Sequence, residues 1–374
     1  MIRVLNIISD TNIGGAGRVI LNYLKYSDTK RFETIVAIPR GSLLKPALVE
    51  MGADVREVEG LTDRSFHKDD VGTLRKLIRE VKPDLVHTHG VLSGRIAARL
   101  CGVPVIYSRH SAFPVPAKLK YPPGRWVNKF VNEFFADHII AVSPATKENL
   151  TDGGISEKKI TVVMNGVAPI PETGSEARAA LRRELGIGDD DFVFGILARI
   201  EDYKGHLYLV EAAKLLKEKG CKNFRVLIAG TGEFEETVRA AVREQGVEDV
   251  VQMLGFRSDV RELLNILNCQ LNVSYGTEAT SMALLEGMSL GLPSIVSDYG
   301  GNPWLVSDGE NGYVFPSRCS AALADCMEKI MNRPDRGAAL GDRGREIYRE
   351  GFTGEVFARN TETVYLRVLK KGDN

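Results

Sequence analysis

Two glutamates, Glu278 and Glu286, stand eight positions apart in YGTEATSMALLEGMSLGLPSIVSDYGG (275–301), among small and apolar residues. An ionised carboxylate only accepts hydrogen bonds. It suits a pair of sugar hydroxyls better than a phosphate, and an acidic residue plays that part on the ribose in nucleotide-binding sheets. The strand CQLNVSY ends at Tyr275, Thr280 or Ser281 can cap the helix that follows, and Gly291 and Pro293 stop it. The free amides of Ala279, Thr280, Ser281 and Met282 then offer an anion site at the helix start. Glutamates on either side of such a site would read two sugars flanking one diphosphate. The opposing reading is that one carboxylate caps a helix and the other reaches to water.

Two cations are placed for the same anion. Arg199 ends the strand FVFGILAR, and Lys204 follows five residues later, just before Gly205 and a helix. A planar guanidinium fork and a point-charge ammonium at a strand-to-helix crossing fit a diphosphate, although a solvated surface pair has the same spacing. Near the N-terminus, Gly14, Gly15 and Gly17 lie in SDTNIGGAGRVI between a strand and a helix. Glycine there lets backbone amides approach a phosphate or sugar oxygen. The spacing is neither G-x-G-x-x-G nor a Walker loop, which argues against a dinucleotide or an ATP γ-phosphate. A tight turn with no ligand explains it as well.

These residues sit where strands end, so the strands matter. IRVLNIIS, FETIVAIP, DLVHTHG, VPVIYSRH and HIIAVS read as buried parallel strands, alternating with amphipathic segments such as VGTLRKLIREVK and GRIAARLCG. The pattern pauses at VVMNGVAPIPETGS (162–175), which reads as a linker. A second series follows, with strands FVFGILAR, FRVLIAG, VVQMLGF, CQLNVSY and PSIVSD. Two βαβ series predict an α/β protein of two doubly wound Rossmann-like domains, 1–166 and 167–352. The helix at 353–374 is expected to pack back on the first. In open parallel sheets ligands bind beyond the carboxyl ends of the strands, so two such domains would face each other across a cleft.

Composition narrows the function. The 374 residues carry no net charge, yet residues 1–168 hold 24 basic against 17 acidic side chains. That basic front half suits an anionic partner such as phosphates or a membrane surface, and chance asymmetry of solvated helix faces is the other reading. The basic residues are dispersed among acids and no nucleic-acid recognition motif appears, so a nucleic-acid partner is not expected. The five cysteines are odd in number and widely spaced, as expected for reduced thiols of a cytoplasmic protein. No apolar run approaches the ~20 residues of a membrane span, and MIRVLNIISD is too short in its apolar run for a signal peptide. Any membrane contact would be peripheral.

Taken together the motifs resemble the retaining nucleotide-sugar glycosyltransferases of family 4, which have the GT-B fold. EATSMALLE has the family's E-x7-E spacing, GLPSIVSDYGG and DGENGYVF look like its continuation, and LARIEDYKG resembles its Arg-x4-Lys phosphate segment. IAGTGE, LGFRSDV, VSPATKENL and NGV fall in the family's order, and the likeness spans nearly the whole chain.

The resemblance implies that Glu286 holds the nucleotide ribose and Glu278 contacts the donor sugar. It implies that Arg199 and Lys204 bind the diphosphate with help from the Thr280–Met282 and Gly14–Gly15 backbone. Gly230 would line the donor site, and backbone at Phe256 and Arg257 would meet the base. His110 would stand beside the reacting sugar, with His89 and Arg109 on the acceptor side; a lone histidine is otherwise more often structural. Ala279 and Thr280 replace the family's usual glycine and aromatic after the first glutamate, and Gly17 replaces an acid in the first loop.

The implied reaction moves a sugar from a nucleotide diphosphate sugar, UDP favoured over GDP, to an acceptor hydroxyl with retention. No cofactor and no metal are expected, because no DxD-like pair stands at a strand end; Asp189–Asp191 lies in a polar run after a helix. The acceptor is expected to be a glycan or lipid-linked molecule of bacterial envelope or exopolysaccharide synthesis. In HSAFPVPAKLKYPPGRWVNKFVNEFFADH, Lys118, Lys120, Arg125 and Lys129 mix with Trp126, Phe130, Phe134 and Phe135. That mixture suits contact with the inner leaflet of the cytoplasmic membrane, and equally a core-packed helix with a basic loop. The alternatives are a GT-B nucleotide-sugar epimerase, a phosphorylase, for which no pyridoxal lysine stands out, and a non-catalytic nucleotide-sugar-binding protein.

Overall fold

A computed structural model describes residues 1–61 and 64–372. The chain divides into two compact units, Met1–Gly166 with Thr353–Asn374, and Val167–Phe352.

The first unit holds seven strands: β1 (Ile2–Ile8), β2 (Phe32–Pro39), β3 (Asp54–Val58), β4 (Leu85–His89), β5 (Val105–Arg109), β6 (His138–Ala141) and β7 (Ile160–Val162). They form one parallel sheet in the order β3-β2-β1-β4-β5-β6-β7. Strand β1 is apolar on both faces because helices cover both. Leu5 and Ile7 pack with Leu74 and Ile78 on one side, and Ile8 packs with Ile20, Val36 and Leu48 on the other. The helix Gly354–Gly372 lies against the helix Gly15–Tyr26, with Tyr365 edge-on to Tyr23 at 5.8 Å. Residues 373–374 of the expected tail lie outside the described residues.

The second unit holds β8 (Phe192–Leu197), β9 (Phe224–Ala229), β10 (Val251–Gly255), β11 (Cys269–Asn272), β12 (Ser294–Ser297) and β13 (Gly312–Phe315). Their order is β10-β9-β8-β11-β12-β13, again parallel throughout. One face packs Phe194, Ile196, Val226 and Leu271 beneath helices, the other Val193, Leu227 and Leu267.

Strand order reverses between β1 and β4 in the first sheet and between β8 and β11 in the second. Those are the switch points where diverging loops open a crevice. Arg199 follows β8 and Glu278 follows β11; the Gly14 loop follows β1 and His89 ends β4. The five cysteines are free thiols, and among the described residues no helix is long and apolar enough to cross a membrane.

Candidate active site

The second unit's site is built from the loops after β8 and β11. A short 3-10 turn, Asp202–Lys204, ends at Gly205 with φ +76°. A Cβ at Gly205 would stand 2.2 Å from the Val273 carbonyl oxygen, so only glycine lets this loop lie against the end of β11. That contact sets Lys204 beside Glu278: Nζ lies 2.7 Å from Oε2. The side chains are 17% and 8% exposed, so this is a buried ion pair. Asn272 Nδ2 and Ser274 Oγ each donate to the same Oε2 at 3.1 Å. Burial alone would raise the Glu278 pKa; the Lys204 charge and these hydrogen bonds outweigh it and hold the carboxyl below its ordinary value.

Ser281, not Thr280, caps the helix Met282–Leu290, its Oγ accepting from Leu284 N at 3.4 Å. Glu278 therefore neither caps that helix nor reaches to water. Ala279 and Thr280 are buried, Met282 is half-buried at the helix start, and Glu286 is half-buried one turn further on. Arg199 Nη2 lies 3.4 Å from the Tyr203 hydroxyl and has no carboxylate partner among the described residues. Gly230 ends β9 against the Ala198 carbonyl. Phe256, at the end of edge strand β10, is 76% exposed, which leaves its ring open for stacking. The Arg257 side chain is already held by Asp259 at 2.7 Å and by Glu184 at 3.4 Å, so only its backbone is left for a ligand.

The first unit gathers histidines instead. His89 Nε2 lies 3.0 Å from Asn6 Oδ1, and His89 Nδ1 lies 2.8 Å from His110 Nε2. An amide oxygen only accepts, so with Asn6 placed this way His89 carries its proton on Nε2 and His110 on Nε2. His110 Nδ1 is then an acceptor, and it is buried with no partner. His87 bonds Tyr365 Oη and Ser108 Oγ, each at 2.7 Å. Burial pushes His87 down to about 3 and His110 to about 4, and His89 well below its ordinary value. All three rings are neutral near pH 7. Arg109 ends β5, its Nε donating to the Ser111 carbonyl at 3.3 Å. Gly14 caps the helix Gly15–Tyr26 with no side-chain hydrogen bond and no acid in the first turn, leaving its amides open.

These neutral histidines should make the protein acid-sensitive. In the second unit His206, buried with neither ring nitrogen partnered, is also pushed down to about 4, by burial and then Lys204. An unfolded histidine binds a proton below about pH 6.5 that these rings refuse when folded, so stability is full above that pH and is lost as pH falls. At pH 5 the loss is about 2 kcal/mol for each such ring. The melting temperature should drop steeply from pH 7 to pH 5, and less steeply in His206→Leu; an unchanged slope in that variant would count against the buried neutral ring.

Residues 13–169 match the family model described as Glycosyltransferase Family 4, and residues 177–347 the one described as Glycosyl transferases group 1. EpsD of Bacillus subtilis (strain 168), classed by name with the glycosyltransferases, is 31% identical over 291 residues, 73% of this chain and 74% of that protein. The chain belongs to glycosyltransferase family 4. A second relative, the UDP-Gal:alpha-D-GlcNAc-diphosphoundecaprenol alpha-1,3-galactosyltransferase of Escherichia coli, is 31% identical over 279 residues, 70% of each chain. The solved structure of Anabaena Alr3699/HepE in complex with UDP and glucose matches with a TM-score of 0.84. It covers 98% of this chain and 100% of that one at 19% identity, a likeness of fold. The two Rossmann-like units are those of GT-B glycosyltransferases.

In this family 4 transferase the departures from the usual motif have local causes. The left-handed residue of the β11 loop is Thr277, φ +60°, so position 279 needs no glycine. Gly17 packs against Leu44, whose Cδ1 would lie 3.3 Å from an added Cβ, so an acid there would have to move that side chain. Asn6, Arg95, Asn272 and Ser274 stand among these groups with no motif to mark them. The last two alternate as polar residues through CQLNVSY, and Asn6 interrupts VLNII; a polar residue buried in a parallel strand needs a partner, and that was the available signal.

Proposed function

We propose that this chain is a retaining, metal-independent glycosyltransferase. Its second unit takes a UDP-sugar and its first unit presents the hydroxyl of a glycan or lipid-linked acceptor, at the cytoplasmic face of the membrane during bacterial envelope synthesis. The reading is carried by the Lys204–Glu278 pair beside Arg199 and the Ser281-capped helix start, all at one switch point. Lys204, Arg199 and the amides of 280–282 supply positive charge as the bond from the anomeric carbon to the diphosphate oxygen breaks. Glu286 holds the ribose and Glu278 a donor-sugar hydroxyl. The acceptor oxygen attacks from the face the diphosphate leaves, its proton passing to the departing oxygen, and no enzymic nucleophile is needed. His110, neutral, stands beside the reacting sugar.

UDP is favoured by the Escherichia coli relative, named for UDP-Gal, and by the Anabaena complex with UDP. The same relative's acceptor is a sugar on a diphospho-lipid, which favours a lipid-linked acceptor here. The helix Gly124–Phe134 supports that choice. It buries no residue, and exposes Trp126, Val127, Phe130 and Phe134 on one face, with Lys118, Lys120 and Arg125 close by. The core-packed alternative leaves that face unexplained. Burying one such aromatic is worth about 1.5–3 kcal/mol. Trp126→Ser/Phe130→Ser should therefore release the protein from anionic vesicles at least ~10-fold, with its melting temperature unchanged. Equal binding by both proteins would sink the membrane reading.

The reaction is tested with UDP-sugars, a panel of lipid-diphosphate and glycan acceptors, and EDTA throughout, reading the product's anomeric configuration by NMR. Retained configuration with undiminished rate is expected. An inverted product, abolition by EDTA, or epimerised donor without transfer would overturn the proposal.

A further inference from the structure

The first unit has a pocket of about 450 Å³ beside His110, and its wall contains an unpaired buried charge. Arg95, on the helix Leu92–Leu100, is only 4% exposed. Its Nη1 donates to Asn132 Oδ1 at 2.9 Å, and its guanidinium lies over the Tyr107 ring at 4.2 Å. Its Nε is buried with no partner. Arg109 lines the same pocket, and among the described residues neither arginine is paired with a carboxylate. Arg109 bears on Arg95 only as a like charge.

A guanidinium stays protonated, and burying one unpaired costs several kcal/mol. The fold nevertheless fixes it. Asn132 Nδ2 donates to Asn128 Oδ1 at 3.1 Å, and Asn128 Nδ2 donates to the Gly153 carbonyl at 2.8 Å, so a hydrogen-bonded chain orients the oxygen that holds Arg95. Two guanidinium groups line one pocket, and their planar forks suit the oxygens of a tetrahedral, multiply charged oxyanion. Ala16, in the first turn of the helix Gly15–Tyr26, whose Gly14 cap makes no side-chain hydrogen bond, lines the pocket too, and that helix end favours an anion.

We infer that this pocket is an anion subsite that holds a phosphate or diphosphate group of the acceptor through Arg95 and Arg109. This rests on the transferase reading for the word acceptor, not for the anion. The helix Gly124–Phe134 joins the two ends of such a molecule: Asn128 and Asn132 face the pocket, and Trp126, Val127 and Phe130, roughly half a turn round at ~100° per residue, are exposed. A phosphate in the pocket would thus lie on one side of a helix whose other side is fit for lipid.

The test is a calorimetric titration of inorganic pyrophosphate into the full chain at low salt, with UDP already saturating. Pyrophosphate should still bind the wild type. Its affinity should fall at least ~10-fold in both Arg95→Met and Arg109→Gln, a loss of about one charge-assisted bond pair, while UDP binding stays unchanged. Arg95→Met should melt no lower than wild type without anion, because it removes an uncompensated charge. Arg109→Gln, at a less buried position, keeps the test open if the first variant does not fold. No pyrophosphate binding beyond the UDP site, or equal binding in both variants, would overturn the subsite. Failure of UDP itself to bind strikes the donor reading and leaves this one standing. The acceptor is separated from free phosphate by KM: Arg109→Gln should raise KM for a lipid-diphosphate acceptor at least ~10-fold more than for an unphosphorylated one, and equal KM changes would count against an acceptor site.

Discussion

Lys204→Met should lose both transfer activity and stability, and the two losses should come apart when Glu278→Gln is added. The pair is buried, with Nζ and Oε2 at 2.7 Å. Removing the ammonium leaves an ionised carboxylate in a site that otherwise offers only Asn272 and Ser274. Breaking a buried pair by deleting one partner costs about 3–5 kcal/mol, and protonation of the carboxyl absorbs part of that. Taking about 3 kcal/mol, the melting temperature should fall by about 6–12 °C for a unit of this size. The turnover loss has another origin. A preorganised donor to a developing anion is worth about 10²–10³-fold in rate. The double variant, with no charge left to strand, should regain most of the stability and stay inactive. Recovery of activity in the double variant, or full activity in Lys204→Met, would remove Lys204 from the leaving-group role.

Gly301→Ala should be the most damaging single methyl group in the second unit. An added Cβ would stand 1.5 Å from the Ala279 carbonyl oxygen, and at neighbouring Gly300, φ +61°, 2.1 Å from that of Glu278. Gly301 N also donates to the Glu278 carbonyl at 3.0 Å, so this turn holds the loop carrying the site's carboxylate and helix-start amides. The loop must shift by more than 1 Å to admit the methyl. A displacement of about 1 Å at reacting groups can cost about 10²-fold. Turnover should fall at least that far and UDP binding should weaken, with helix content unchanged. Gly351→Ala, where nothing lies within 4 Å of the added carbon, is the control and should be silent. Activity within a few-fold of wild type in Gly301→Ala would mean the loop is not rigid.

Much of the architecture was readable because buried parallel strands are unbroken apolar runs, and both doubly wound sheets are of that kind. The strands not read, β3, β7 and β13, are edge strands. DVREV is half-exposed, ITV is three residues long, and GYVF follows a polar turn, so none presents the continuous run that marks a buried strand. The charged members of the site were visible by type and by their place at strand ends. Lys204 and Glu278 were read as separate ligands of a diphosphate and a sugar, because nothing local tells that loops 74 residues apart bring them into one ion pair. Arg95 gave no signal: in GRIAARL it looks like one more solvated helix cation, and its partners, Asn132 of a different helix and the Tyr107 ring, are distant in sequence.

The most direct measurement is calorimetric binding of UDP in EDTA to wild type, Glu286→Ala and Lys204→Met. UDP should bind without metal. Each variant should weaken it at least ~10-fold, since a hydrogen bond to a charged group is worth about 1.5–3 kcal/mol. Binding that appears only when a divalent ion is supplied, or variants that bind as wild type does, would contradict the donor site at the β8–β11 switch point.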